Sequence, residues 1–202
     1  MALRGYSCGR RSSRKALDSG KLRSIALEET EDLSVALVEF RQHFDKYYLG
    51  AIPRLLNEEG MFLAFISILT AIECLAGLYK PSKDPGDRFQ AFLKAYFDEQ
   101  YHPMTRDLWR FRNLMVHAFN PMPFTIGCHQ SRVHLVPIEG TRYLNAEDFY
   151  ADLVGAARKY FQAVYEKPTL QEAFAKRVSD KGGGRPKTNT FIESINGNGA
   201  AV

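Results

Sequence analysis

Apolar side chains recur every three or four residues through most of the chain from Leu33 to Val164, with charged and polar side chains between them. This period is typical of amphipathic helices, and segments rich in Gly, Pro, Asp and Asn interrupt it. The pattern predicts an all-α chain of four to five helices. The predicted helices span residues 28–48, 58–79, 85–97, 105–120 and 146–167.

Several of these helices have clear start and stop signals. Asp84 precedes Pro85, and the pair suits a helix cap and the first helical position. Pro121 cannot continue the fourth helix, and Asn145 is placed to cap the last one. The last helix has an apolar face formed by Phe149, Leu153, Ala156, Tyr160 and Val164. This face indicates that the helix packs against a core.

The segment between the last two predicted helices has no helical period. Phe124–Cys128 and Arg132–Pro137 each contain β-branched residues, and three polar residues separate them. Such a pair of short runs predicts a short hairpin or an extended loop after the fourth helix.

The most apolar segment, Met61–Tyr79, has the length of a membrane-spanning helix. It contains Ser67, Thr70 and Glu73, however, and its neighbours have the alternating pattern of helices in soluble proteins. We therefore predict a buried core helix rather than a transmembrane helix, and no association with a membrane.

Charge is distributed unevenly, although the net charge is only +4. Residues 1–24 hold seven basic residues and one acid, a net +6, and residues 174–202 hold five basic residues and two acids, a net +3, which leaves −5 for the middle. The sequence predicts a basic flexible arm (1–26), a helical domain (27–176) and a disordered tail (177–202). A mitochondrial transit peptide is the alternative for the arm, whose run from Arg10 to Lys15 would also suit recruitment of RNA.

The three cysteines, Cys8, Cys74 and Cys128, lie far apart and form no CxxC pair. They predict neither a disulfide framework nor a thiolate zinc site, and they favour the reducing cytoplasm. Cys128, His129 and His134 lack a fourth ligand, so we expect no metal and no cofactor. The glycine-rich stretch 182–187 lacks the Gly-Lys-Ser/Thr ending of a phosphate loop and is interpreted as tail.

One face of the fourth predicted helix carries side chains suited to phosphodiester chemistry. At 100° per residue, Arg106, Arg110, Asn113 and His117 fall in one stripe. Histidine can transfer protons near neutral pH, and a guanidinium binds phosphate oxygens through two hydrogen bonds. The stripe is therefore a candidate site.

Arg112 departs from this pattern. It projects only about 40° from Leu108, on the side of the helix that should be buried. A buried guanidinium needs an acidic partner, and Glu73 is the acid inside the central apolar run. The sequence therefore predicts an ion pair between Glu73 and Arg112.

The hexapeptide Arg112-Asn113-Leu114-Met115-Val116-His117 resembles the Arg-x4-6-His signature of the HEPN superfamily, in its Arg-Asn-x-x-x-His form. Members are small antiparallel helical bundles in which the signature helix comes late, as it does here. Many are metal-independent ribonucleases whose active site forms where two signature helices meet across a dimer. The resemblance covers about residues 28–166 and implies a homodimeric bundle with RNA as substrate.

The resemblance also implies the roles of the residues. A ribose 2′-hydroxyl would attack the adjacent phosphate, with His117 as general acid or base, Arg112 stabilising the transition state and Asn113 positioning the substrate or the histidine. Glu73 would support Arg112. Arg112 and His117 lie about 140° apart on the helix, so a second chain would supply the complementary residue. Arg110 is the alternative phosphate-binding residue, because it lies on the same face as His117.

Two other interpretations remain open at this point. The chain could be a non-catalytic HEPN-like module that binds nucleotide, RNA or a protein partner, or a helical interaction domain without catalytic ancestry. The first alternative would contain the same six residues. For an active enzyme, the resemblance implies a stress, toxin or antiviral defence role, with a protein antitoxin or regulator as a further partner.

Overall fold

The structure is a computed structural model that describes residues 33–80, 82 and 84–180. The predicted arm, with Arg10, Lys15 and Cys8, lies outside the described residues, as does the glycine-rich stretch 182–187.

Six helices make up most of the described chain, which confirms the mainly helical prediction. The first, α1, covers residues 33–44 and continues as a π-helical turn, Asp45–Leu49. Short 3-10 helices lie in the connections, at Ile52–Leu55, Glu99–Met104 and Ser131–Val133. The remaining helices are α2 (Met61–Tyr79), α3 (Pro85–Tyr96), α4 (Thr105–Ala118), α5 (Ala146–Glu166) and α6 (Pro168–Asp180).

Helix α2 lies at the centre and packs against α3, α4, α5 and α6. Its apolar residues face all sides, and Phe65, Ile68, Leu69 and Leu75 are completely buried. Among the described helices it is the one long and apolar enough to span a membrane, and 56% of its most apolar window is buried within the fold. This burial is that of a core helix, as in soluble proteins.

The predicted cap of α3 is confirmed, and that of α5 only in position. The Asp84 carboxylate accepts hydrogen bonds from the backbone of Gly86 (2.7 Å) and Asp87 (3.1 Å). Asn145 precedes α5, but its side-chain oxygen accepts from the Gln130 N–H (2.9 Å) and its amide donates to Asp148 (2.6 Å). Asn145 therefore ties a neighbouring loop to the helix instead of capping the helix itself.

A small sheet follows α4, so the all-α prediction is not exact. Its strands are β1 (Phe124–Gly127), β2 (Pro137–Ile138) and β3 (Thr141–Asn145), in the order β1-β3-β2, with β1 parallel and β2 antiparallel to β3. The predicted short hairpin after α4 is present, but it does not pair the two predicted runs with each other. The hairpin instead joins β2 to β3 through Glu139 and Gly140, whose φ angles are +49° and +81° and which form a tight turn.

The predicted apolar face of α5 is buried along its whole length, which confirms that prediction. Helix α6 was not predicted as a separate helix, and it extends to Asp180, beyond the expected tail boundary at residue 176. Phe174 explains its attachment, because it is completely buried and meets the Phe40 ring edge-on at 5.7 Å between centroids. The sixth helix therefore belongs to the packed body.

Candidate active site

Helix α4 carries the candidate residues and is held in a fixed rotation by its core side. Leu108, Phe111 and Met115 are buried against the rest of the bundle. The helix ends at Ala118, where Phe119 adopts a left-handed conformation (φ +50°) and the Asn120 N–H donates to the Leu114 carbonyl at 3.2 Å. This closure of the C-terminus keeps the last two turns in register with the core.

The stripe predicted on the outer side of α4 is present. Arg106, Arg110 and His117 are exposed, and Asn113 is half-buried. The side chains of Arg110 and His117 make no hydrogen bond or ion pair with any described residue. A cation and an imidazole are therefore free to meet a ligand or a second chain on this face.

Arg112 points inward, as predicted, and its guanidinium forms an ion pair with Glu73 of α2. The Arg112 side chain is 16% exposed and the Glu73 side chain 26% exposed. Arg112 Nη1 also donates to the side-chain oxygen of Asn113 at 3.2 Å. Glu73 and Asn113 therefore fix the orientation of a largely buried guanidinium.

Trp109 holds the same guanidinium from a third side. The Arg112 Cζ lies 5.6 Å from the centre of the indole ring. The indole in turn lies against Gly86 of α3, where a Cβ would be only 2.8 Å from Trp109 Nε1.

Arg112 Nε is buried and has no hydrogen-bond partner among the described residues. Buried donors without a partner are costly, at about 1–3 kcal/mol each, and they mark positions that need a functional or structural explanation.

The structure thus brings Glu73, Arg112 and Asn113 into contact, and it does not bring His117 or Arg110 to them. Arg112 is directed towards α2, whereas His117 lies about 140° further around α4. The two signature residues of one chain consequently face different directions. Arg110 and His117 lie on the same face of α4, so their side chains point in the same direction.

Exposed apolar side chains, which the sequence did not indicate, occur at the C-terminal end of α4 and at the start of α2. We call Leu63, Val116, Phe119 and Met122 the α4 patch. Phe119 is 75% exposed and Leu63 is 55% exposed. The Phe119 ring packs against the Phe62 ring at a tilt of 32°, with 3.9 Å between centroids, which joins the end of α4 to the start of α2. The sequence signal for the α4 patch is Phe119, because a phenylalanine just beyond the end of a helix lies outside the core-facing stripe of that helix.

A second polar cluster, which the sequence did not indicate, joins the 3-10 helix Glu99–Met104, the loop before β2 and α5. Tyr101 donates to Asp152 at 2.5 Å, and its oxygen lies 2.8 Å from His134 Nε2. His134 Nδ1 accepts from the Asn145 N–H at 3.0 Å, so Nε2 carries the proton and donates to Tyr101. Burial lowers the pKa of His134, although Asp148 and Asp152 oppose the shift. The cluster anchors the loop before β2 to α5. Tyr101 is separated by 33 positions in the sequence from His134 and by 51 from Asp152.

The two histidines considered for a metal site, His129 and His134, make other contacts. His129 Nδ1 lies 2.6 Å from Glu147, which also accepts from the His129 N–H. Cys128 and Cys74 are unpaired thiols. The described residues contain no group of three or more His, Cys, Asp or Glu side chains arranged to hold a metal ion.

Comparison of the chain with protein-family models, with curated proteins and with solved structures finds no match in any of the three. No relative therefore indicates a function, and the geometry of the site is the basis for assigning one.

Proposed function

We propose that the chain is a homodimeric, metal-independent endoribonuclease of the HEPN type that acts in the cytoplasm. The observation that carries this proposal is the state of the two signature residues. Arg112 is held by Glu73 and Asn113, while His117, five residues later on the same helix, is exposed and has no partner among the described residues. One residue is preorganised and the other is available for proton transfer.

The chemistry that suits these groups is attack within the RNA strand. The 2′-hydroxyl loses its proton to a base, its oxygen bonds to the adjacent phosphorus, and the bond to the 5′-oxygen breaks. The products are a cyclic phosphate and a free 5′-hydroxyl. His117 would accept or return the proton, and a guanidinium would stabilise the additional negative charge on the phosphate.

A second copy of the chain would solve the divergence of Arg112 and His117. Two α4 helices related by a two-fold axis would present Arg112 of one chain and His117 of the other on a shared surface. The α4 patch supports this arrangement, because it places exposed Phe119 and Val116 beside His117. Apolar surface of this kind is typical of a contact between proteins.

The phosphate-binding residue has two candidates, and they predict different outcomes. Arg112 is paired and largely buried, so its replacement would disturb the fold as well as activity. Arg110 is exposed and lies on the face of His117, so its replacement would remove activity and leave the fold intact. We favour Arg112 for charge stabilisation and Arg110 for holding the strand.

The direct test is incubation of the purified full chain with RNA in EDTA. We expect cleavage products that end in a cyclic phosphate, and a His117→Ala variant slower by about 100-fold or more. His129→Ala is the matched control, because it removes another exposed histidine outside α4. Equal cleavage by the His117→Ala variant, or dependence on an added metal ion, would contradict the proposal.

A non-catalytic module that binds a protein partner is the second candidate, and the α4 patch is the observation that favours it. A Phe119 side chain with 75% of its surface exposed would suit a protein antitoxin or regulator as well as a second copy. A folded wild-type chain that is monomeric and inactive on every RNA tested would favour this module. Under the leading proposal, such a partner would act by covering the same patch.

A further inference from the structure

A second cationic surface lies beside Glu73, on the side away from α4. A groove of about 380 Å³ is enclosed by α1, α2, α3 and α6. This volume lies in the range of sites that bind small organic ligands. Its lining includes Phe40, Thr70, Glu73, Arg88, Arg177 and Val178.

Two arginines supply the positive charge of this groove. Arg88 Nη1 donates to the Ser82 carbonyl at 2.8 Å, which fixes its guanidinium at the start of α3. The Arg177 guanidinium lies beside Gly77 of α2, where a Cβ would be 3.5 Å from Nη2. Both side chains are half-buried, and neither forms an ion pair with a described residue. Their remaining N–H groups are available to an acceptor.

Among the described residues that line the groove, no other charge neutralises these arginines. Glu73 is the carboxylate among the described residues that line the groove, and Arg112 already pairs with it. Burial raises the pKa of the Cys74 thiol to about 11, although the Arg177 guanidinium opposes the shift, so the thiol remains neutral at physiological pH. The groove therefore has an excess of two positive charges.

A groove of the same volume between α1 and α5 gives a useful contrast. It is lined by Arg41, Asp45 and Arg158, and Asp45 lies 3.7 Å from Arg41 Nε. Its carboxylate therefore neutralises one of its own arginines. The groove next to Glu73 differs because its carboxylate is neutralised from outside, by Arg112.

We infer that the groove lined by α1, α2, α3 and α6 binds a phosphate group of a nucleotide, with Arg88 and Arg177 as its charged ligands. Paired guanidinium groups match the oxygens of a phosphate, and the apolar side chains of Phe40 and Val178 suit an adjacent ribose or base. Glu73 belongs both to this groove and to the Arg112 pair. Resting on the proposed function, we assign the bound group to a phosphate of the RNA substrate away from the bond that is cleaved.

The test measures binding of a short fluorescein-labelled single-stranded RNA by anisotropy, with full chains that carry His117→Ala to prevent cleavage. Arg177→Gln should weaken binding roughly tenfold and reduce the slope of log affinity against log salt by about 0.7. Arg177→Lys should keep the slope, because it keeps the charge. Arg158→Gln, in the contrasting groove, is the matched control and should change neither quantity.

Arg88→Gln provides an independent variant, since Arg177 also helps to attach α6. It should reproduce the loss of slope while the unfolding temperature stays at that of the parent chain. Unchanged slopes in both variants, or an equal loss in Arg158→Gln, would overturn the inference, as would failure of the parent chain to bind either RNA or AMP. Binding of AMP that depends on Arg177, without binding of RNA, would support the phosphate site and refute its assignment to RNA.

Failure of this inference is distinguishable from failure of the proposed function. Binding is measured without cleavage, whereas the ribonuclease test measures cleavage by chains with both arginines intact. If the chain cleaves RNA but its RNA binding does not depend on Arg177, only the proposed phosphate site is refuted. If it binds RNA through Arg177 but never cleaves it, only the proposed ribonuclease activity is refuted.

Discussion

The pair formed by Glu73 and Arg112 permits a prediction whose size follows from its burial. An exposed ion pair contributes about 0–1 kcal/mol, whereas removing one partner of a fully buried pair costs about 3–5 kcal/mol. With side chains 16% and 26% exposed, this pair lies between the two limits but closer to the buried one. We expect Arg112→Met or Glu73→Leu alone to lower the free energy of unfolding by about 2–3 kcal/mol, because each leaves an unpaired charge beside the core.

The double variant Glu73→Leu/Arg112→Met removes both charges and should recover most of that loss, to within about 1 kcal/mol of the wild type. Urea unfolding followed by circular dichroism gives all four free energies of the cycle. Arg110→Met is the control on the exposed face of α4 and should change the stability by less than about 0.5 kcal/mol. Single variants as stable as this control would show that the pair is solvated and would refute the idea that Glu73 fixes Arg112.

Three further predictions test other parts of the structure. Burial lowers the pKa of His134 below its value in the unfolded chain, so the unfolded state binds more protons than the folded state as the pH falls. The wild type should therefore lose stability between about pH 7 and pH 5, and His134→Gln should lose less. Urea unfolding at each pH measures both losses. Phe119→Ser should shift sedimentation from dimer to monomer while circular dichroism still shows a folded helical chain, since Phe119 is 75% exposed; an unchanged dimer would remove the α4 patch from the interface. Gly86→Ala should destabilise the chain by about 1–3 kcal/mol in urea unfolding, because its Cβ would meet the Trp109 indole; a neutral change would show that Trp109 can move aside.

The helices could be predicted from the sequence because each repeats one local pattern. The face from Phe149 to Val164 and the Asp84-Pro85 start are signals contained within one element. The inward position of Arg112 also followed from its angle on the helix, and Glu73 followed as the acid within the central apolar run. These predictions required no knowledge of how distant segments meet.

The sheet and the polar cluster could not be predicted in the same way. β1 pairs with β3 in parallel across an intervening segment, and the hairpin turns at Glu139-Gly140, which is a weaker signal than Asn-Gly. Tyr101, His134 and Asp152 come from three separate segments, so no local spacing indicates their contact. The α4 patch was missed for a related reason, since the exposure of Phe119 depends on what the fold leaves uncovered.

The central claim is that Arg112 of one chain acts with His117 of the other. The most direct measurement mixes two inactive dimers, the Glu73→Leu/Arg112→Met variant and the His117→Ala variant, under conditions that allow subunit exchange. If the site is shared, half of the dimers are mixed and each has one complete site, so RNA cleavage should return to about a quarter of the wild-type rate. Mixed dimers that form but do not cleave RNA would contradict the shared site.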